Sequence, residues 1–370
     1  MGHARKQLLT IYISSSCNLN CKYCDLISGE SHIEENDKVI DVNFAFRGIE
    51  DFFRDYPSRG VRFYSAGEAT SEMFVFKRIV EYLKAKKDPN LYLELQTNGY
   101  FDEDCAEWIE DNMDFVWVSF DGLPEFQDEN RPTKGGAPTS DTVVKNMRKF
   151  GFSDKVEIGC RVTLTRNMID KQKEMIDYLL GLNIKYISLE RAHCSTNNLM
   201  FTEEDSDPLY YAEKFLEVYN YAKEKGVFCS HFNMVNFDEP SRFFCRACVP
   251  YPHLTTDGYV SCCDMAAFGN PRYMQFSMPD LIYGKYDNAN DTITYDERKI
   301  YNLRQRNADT LSKTICQDCD IVKNCVGGCM GQSYITTGKI CSISEWDCVV
   351  TKYLAKYLPL NKGLYPLVHS

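Results

Sequence analysis

The stretch Leu8–Leu26, LLTIYISSSCNLNCKYCDL, joins a short apolar run to three cysteines spaced C-x3-C-x2-C at Cys17, Cys21 and Cys24. Leu8–Ile13 carries Thr and Tyr among its apolar residues, and the segment before it, Met1–Lys6, is short and basic. It therefore reads as a first strand rather than a signal peptide. Three thiolates on one tight loop can hold three irons of a 4Fe–4S cube and leave the fourth iron open to a small chelating molecule. A zinc site would need a fourth ligand, and the nearest ones, Asp25 and His32, are poorly spaced for it. The chain has 17 cysteines in 370 residues. Disulfides are disfavoured in a reducing compartment, so cysteines at ligand spacing point to metal, either zinc or iron–sulfur.

Beyond this loop, strand-like segments alternate with helix-like ones. Strands are expected at Leu8–Ile13, Val61–Tyr64, Leu91–Gln96, Phe115–Phe120, Val156–Leu164 and Lys185–Leu189. Helices are expected at Val42–Arg54, Met73–Ala85, Cys105–Asn112, Thr142–Phe150 and Lys171–Leu182. In Met73–Ala85, Phe74, Phe76, Ile79, Val80 and Leu83 recur at helical spacing. Such a repeat implies an α/β fold with a parallel sheet wrapped by helices, open or rolled into a partial barrel, with its chemistry at the C-terminal ends of the strands. A long helix, Pro208–Gly226, follows the sixth strand. From Phe243 cysteines become dense and the helical period is lost until Glu345–Leu358, which places a boundary between residues 228 and 242.

No run of eighteen apolar residues occurs, so no membrane span and a cytoplasmic location are expected. The net charge of −11 is spread without a basic block, which argues against a nucleic-acid partner.

The cysteine loop, with Tyr23 in its aromatic slot, resembles the signature of the radical SAM superfamily. The resemblance continues in FYSAGEAT (63–70), similar to the family's G-G-E-P element with Ala66 and Ala69 as substitutions, and in LQTNGY (95–100) and VSFDG (118–122). It implies a partial (β/α)6 barrel with S-adenosylmethionine (SAM) chelating the open iron and Tyr23 beside the adenine. Gly67 and Glu68 would meet the methionine amino group, Glu68 by a charge-assisted hydrogen bond. Ser119 and Arg131 are candidates for the carboxylate and ribose, with Asp121 shaping the turn beneath them. Asp121-Gly122 also reads as a plain turn pair, and Arg131 as a surface loop residue. Arg161 and Thr163 could face the cofactor or simply alternate in a core strand.

Cys316, Cys319, Cys325 and Cys329 form C-x2-C-x5-C-x3-C in CQDCDIVKNCVGGC, preceded by Cys248-x9-Gly258-x4-Cys263 and followed by Cys348. This ordered set resembles the SPASM extension of radical SAM enzymes that modify peptides and proteins. The resemblance implies three 4Fe–4S clusters, one that binds SAM and two auxiliary. One auxiliary cluster takes Cys316, Cys319, Cys325 and Cys348. The other takes Cys263, Cys329, Cys248 and either Cys245 or Cys262. A pair of zinc knuckles is the plainer alternative. The organisation implied is a barrel over residues 1–235, an auxiliary iron–sulfur domain over 236–350 and a C-terminal helix and tail over 351–370. Cys105, Cys160, Cys194, Cys229 and Cys341 fall outside the ligand sets and read as buried or idle thiols.

The chemistry so implied is reductive cleavage of SAM to a 5′-deoxyadenosyl radical, which takes a hydrogen atom from a substrate. Asp264, directly after Cys263 in CCDMA, is similar to the proposed base of sulfatase-maturing relatives; an Asx turn is the alternative. Glu190 and His193, just past the sixth strand, are alternative candidates for handling the proton, and His193 also reads as a plain loop histidine. The expected partners are a peptide or protein substrate, gripped by the barrel mouth or delivered by a separate peptide-binding protein, and a flavodoxin- or ferredoxin-like reductant. A formylglycine-forming maturase, a small-molecule dehydrogenase, an electron-transfer iron–sulfur protein and a zinc-stabilised module remain as other readings.

Overall fold

Apolar and polar residues alternate along the first strands, and that alternation decides how the chain closes. The structure is a computed structural model that describes residues 7–24, 33–64, 66–192, 207–276 and 278–363. Among these, eleven strands form one sheet: β1 (Leu8–Tyr12), β2 (Gly60–Tyr64), β3 (Tyr92–Thr97), β4 (Phe115–Ser119), β5 (Glu157–Leu164), β6 (Tyr186–Arg191), β7 (Phe228–Ser230), β8 (His253–Leu254), β9 (Tyr259–Ser261), β10 (Ile282–Asp287) and β11 (Thr292–Tyr295). The spatial order is β11-β10-β9-β8-β1-β2-β3-β4-β5-β6-β7. Strands β1 to β7 run parallel in sequence order, β8 joins β1 in parallel, and β8 to β11 continue antiparallel.

Successive residues of a strand point to opposite faces. Leu9, Ile11, Val61, Phe63, Leu93, Leu95, Val116, Val118, Val162 and Leu189 all belong to one buried apolar cluster with the helices. The residues between them, among them Thr10, Arg62, Glu94, Gln96, Ser119, Arg161 and Glu190, give the other face an unusually polar lining. A sheet covered by helices on both sides would carry apolar residues on both faces. Here one face lines a polar interior.

The helices are α1 (Val42–Asp55), α2 (Met73–Ala85), α3 (Glu103–Asn112), α4 (Pro124–Asn130), α5 (Ser140–Gly151), α6 (Gln172–Gly181), α7 (Pro208–Glu224), α8 (Glu297–Gln305), α9 (Ala308–Leu311), α10 (Val322–Cys325), α11 (Met330–Thr337) and α12 (Glu345–Tyr357). Their starts follow the capping rule: Asp41 accepts from the N–H groups of Asn43 and Phe44, Asp102 from Cys105, and Ser344 from Asp347. The C-terminal α12 packs on α7, where the rings of Trp346 and Tyr211 lie 5.0 Å apart.

Three expectations need correction. Phe74 is exposed, whereas Phe76, Ile79, Val80 and Leu83 are buried; it lies one position past the N-terminus of α2, off the face that meets the sheet. The helical period is not lost throughout residues 243–344, because α8 and α11 lie there. Of α8, only Leu303 is buried, so a mostly polar helix held by its Asp296 cap left little apolar pattern to read. The cysteine-rich part also brings four strands that pattern did not reveal, β8 to β11, each six residues or fewer.

A candidate active site at the C-terminal ends of the strands

The cysteine loop leaves β1 and is fastened on two sides. The N–H groups of Gly67 and Glu68 donate to the carbonyls of Ser14 and Ser16 at 3.1 and 2.8 Å. A Cβ on Gly67 would lie 2.1 Å from the Ser16 carbonyl oxygen, so only glycine lets the two loops approach this closely. On the other side, Asn20 and Lys22 donate to the carbonyls of Pro132 and Asn130 at 2.8 and 2.9 Å. Asn98 Nδ2 donates to Asn18 Oδ1 at 2.8 Å and reaches Cys17 Sγ at 3.7 Å. The turn after β3 thus orients the first cysteine.

Cys17, Cys21 and Cys24 are partly buried and lie within electrostatic reach of one another. Burial pushes the Cys17 thiol up to about 11, with the Glu68 charge adding to it, and the Cys21 thiol up to about 12. As free thiols they hold their protons; an iron cluster would displace them, as thiolate-bound metal does. Three thiols on one pinned loop, with no fourth donor among the described residues, fit a cube with one open iron.

Two clusters of side chains flank that loop. On the Cys17 side, Glu68 is buried and accepts from Asn98 N (2.7 Å), Thr70 N (3.0 Å), Thr70 Oγ1 (3.0 Å) and Thr97 Oγ1 (2.8 Å). Oε1 takes three of these and Oε2 takes only the Asn98 amide, which leaves Oε2 able to accept from a substrate ammonium. Burial raises the Glu68 carboxyl above its usual range, against the pull of those donors.

On the Cys21 side, the buried Asp121 carboxylate accepts from Arg131 Nε and from the Tyr23 hydroxyl, both at 2.9 Å. Arg131 also donates to Thr163 Oγ1 at 3.2 Å and lies 5.1 Å from the centre of the Tyr23 ring. Asp121 is therefore a buried ion-pair partner as well as a turn residue, and Arg131 is buried rather than on a surface loop. Ser119 and Arg161 are register partners across β4 and β5. Arg161 reaches Gln96 Oε1 at 2.8 Å, and its Nε is buried with no hydrogen-bond partner.

Asp264 stands apart from both groups. It pairs with buried Arg62, with His253 Nε2 at 3.0 Å and with Arg246 at 3.9 Å. Burial alone would raise its carboxyl, but Arg62, His253 and Arg246 hold it well below the usual carboxylate range. Tyr64 links the two regions: its hydroxyl, pushed up to about 12 by burial, is in reach of the charges of both Asp264 and Cys24. Its ring lies 5.4 Å from that of Tyr12, whose hydroxyl reaches the Cys263 carbonyl at 3.5 Å. Arg62, Tyr64, Arg246, His253 and Tyr12 were absent from the sequence reading. The signal for two of them was present, since Arg62 and Tyr64 alternate with Val61 and Phe63 in β2.

Glu190, at the end of β6, accepts from Ser188 Oγ and from the Phe232 N–H at 3.0 and 2.9 Å and faces His231 Nε2 at 3.6 Å. Burial raises its carboxyl to about 8. His193 and Cys194 lie outside the described residues, as do Asp25 and His32.

The remaining cysteines fall into two neighbourhoods. Cys325 lies in reach of Cys348, Cys316 and Cys319. Cys263 lies in reach of Cys329, and Cys329 of Cys245, whose free thiol is hydrogen-bonded with that of Cys248. Cys262, fully buried in the apolar cluster, is also in reach of Cys245. Among the described residues no group of three or more His, Cys, Asp or Glu side chains is arranged to hold a single metal ion. Cys160 and Cys229 are buried in the core, Cys105 is half-buried and Cys341 is exposed. A cavity of about 420 Å³ lined by Leu93, Glu110, Asp114 and Lys155 lies at the N-terminal ends of β3 and β4, away from all of these groups.

Residues 11–160 match the model of the Radical SAM superfamily. A serine-type anaerobic sulfatase-maturating enzyme of Bacteroides thetaiotaomicron is 23% identical over 86% of this chain and 80% of its own. A 7,8-dihydro-6-hydroxymethylpterin dimethyltransferase of Methanocaldococcus jannaschii is 25% identical over 49% of this chain and only 36% of its own. The solved structure of native anSMEcpe with bound AdoMet and Cp18Cys peptide shares the fold, with a TM-score of 0.69 and 19% identity over 95% of this chain and 96% of that one.

Proposed function

We propose that this chain, which carries a radical SAM domain over residues 11–160, is a maturase that modifies a peptide or protein side chain or backbone by hydrogen-atom abstraction. A radical SAM domain implies SAM and one 4Fe–4S cluster. When bound, that pair supplies a 5′-deoxyadenosyl radical. The chain's own residues bind, orient and exclude. Cys17, Cys21 and Cys24 hold three irons. Glu68 Oε2 accepts from the methionine ammonium. Tyr23 would lie beside the adenine, Ser119 and Arg131 would meet the carboxylate and ribose, and Arg161 and Thr163 would face the cofactor. The observation that carries this reading is the placement of Glu68 and the Asp121–Arg131 pair on opposite flanks of one pinned three-cysteine loop.

Two auxiliary 4Fe–4S clusters complete the reading, one on Cys316, Cys319, Cys325 and Cys348, the other on Cys263, Cys329, Cys248 and Cys245. Full thiolate ligation leaves no open iron, which would suit accepting an electron from the substrate radical as that radical is oxidised. These ligands define an auxiliary domain over residues 236–350, although its strands continue the barrel sheet through β8. Zinc knuckles would not account for the open-site loop after β1. A flavodoxin- or ferredoxin-like protein supplies the electron, in the cytoplasm. Among the described residues no helix is long and apolar enough to cross a membrane.

A second reading, formylglycine formation on a sulfatase, draws on the likeness to a sulfatase-maturating enzyme over most of the chain and on Asp264 beside Cys263. In that reading Asp264 takes the proton, and Arg62 and His253 orient it.

The test is anaerobic turnover of reconstituted protein with SAM and dithionite, followed by chromatography for 5′-deoxyadenosine, beside a Cys17/Cys21/Cys24→Ala control. Wild type is expected to produce it and the control none. A fully loaded wild type that neither binds nor cleaves SAM, with or without peptide, overturns the assignment.

A further inference from the structure

One cation lies buried between the two groups of auxiliary cysteines. Arg306, just after α8, has no exposed surface and heads the fully buried side chains by volume. Its guanidinium donates to the carbonyls of Gly327 and Gly328 at 2.6 and 3.1 Å, of Ile340 at 2.9 Å and of Ser342. It also reaches Ser333 Oγ at 3.3 Å, which in turn donates to the Cys329 carbonyl at 2.8 Å. Gly327 and Gly328 connect Cys325 of one group to Cys329 of the other. Both have positive φ, 72° and 69°, and a Cβ on Gly327 would lie 3.2 Å from Arg306 Nη2.

Every one of these acceptors is neutral, and Arg306 Nε is buried without a hydrogen-bond partner. A guanidinium withdrawn from water with only neutral partners is strongly disfavoured unless a negative charge compensates it. The charge of Arg306 acts on Cys248 and Cys329 of one group and on Cys316 of the other. A 4Fe–4S cube with four thiolate ligands carries net negative charge, and nearby cations raise its potential.

We infer that Arg306 is the shared counter-ion of both auxiliary clusters, a positioning residue that raises their reduction potentials while clipping the loop that joins their ligands. The inference rests on the two-cluster reading above.

The experiment uses the full chain with Cys17, Cys21 and Cys24 replaced by alanine, so that only auxiliary clusters form. Iron content is measured first. About eight irons per chain agrees with two cubes; markedly fewer overturns the cluster reading and this inference with it. In that background Arg306→Gln and Arg306→Lys are titrated anaerobically and followed by electron paramagnetic resonance. Arg306→Gln is expected to need a more negative potential. At the parent midpoint its reduced-to-oxidised ratio falls about tenfold or more, equivalent to about 59 mV for a one-electron couple. Arg306→Lys, which keeps the charge, is expected to stay near the parent. If Arg306→Gln titrates with the parent, or Arg306→Lys shifts as far as Arg306→Gln, the inference is wrong. If Arg306→Gln fails to hold iron, full loading of Arg306→Lys at the parent potential upholds it. Loss of iron in both means that Arg306 acts only as a structural clip.

Discussion

Arg131 Nε donates to Asp121 Oδ1 at 2.9 Å, both side chains buried, and the Tyr23 hydroxyl donates to the same carboxylate. The Tyr23 hydroxyl ties this pair to the cysteine loop between Cys21 and Cys24. Removing one partner of a buried pair strands the other charge and costs about 3–5 kcal/mol. Asp121→Asn is therefore expected to lower stability by that order in denaturant unfolding and to weaken SAM binding. A loss under about 1 kcal/mol would show that Arg131 finds other compensation.

Gly67 is where two backbones meet, with the space for a Cβ already filled by the Ser16 carbonyl. A carbonyl in a pinned loop cannot move aside as a side chain can. Gly67→Ala should lose iron equivalent to one cube on reconstitution, leaving about eight of about twelve irons per chain. Full iron content together with normal SAM binding would refute the close-approach argument.

The Glu190 carboxyl sits near 8 because it is buried; Arg161 lowers it and Asp347 raises it, with His231 close by. Its folded value lies above the unfolded one, so the native state holds a proton that the unfolded chain releases. Stability contributed by that proton is present below the unfolded value, near 4.5, and is lost as pH rises to about 8. The slope is at most about 1.4 kcal/mol per pH unit. Glu190→Gln should flatten the unfolding free energy between pH 5 and 8; parallel profiles for the two proteins would rule this out.

Cys245 and Cys262 compete to complete one auxiliary ligand set. The Cys245 thiol is hydrogen-bonded with that of Cys248 and lies in reach of Cys329, whereas Cys262 is fully buried in the apolar cluster. Cys245→Ser should lose or alter one auxiliary cluster by iron content and electron paramagnetic resonance, and Cys262→Ser should leave both intact. The opposite result would reassign the ligand.

Six of the strands and the main helices were legible because their apolar residues recur at periods of two or near four, the direct consequence of one face meeting the core. The strands β7 to β11 were not; β7, β8 and β9, at two or three residues each, are too short for any period. The inward charges were equally hidden. Arg62 and Asp264 are 202 positions apart, and nothing local to either announces the other.

The candidate ligands were legible in residue type and spacing alone. Thiols at C-x3-C-x2-C and C-x2-C-x5-C-x3-C are held together by a few peptide units, so residue type and spacing suffice to mark them as the candidate ligands of the proposed clusters. Alternation in the strands likewise determined that one sheet face would be apolar. Which distant groups share a space came from the folded chain. It set Cys263 beside Cys329, the polar faces of β2, β5 and β6 about one interior, and Arg306 between two cysteine groups. These depend on how the sheet curves and on β8 pairing with β1, in contacts whose closure entropy is met by burial over the whole chain rather than by any local pattern.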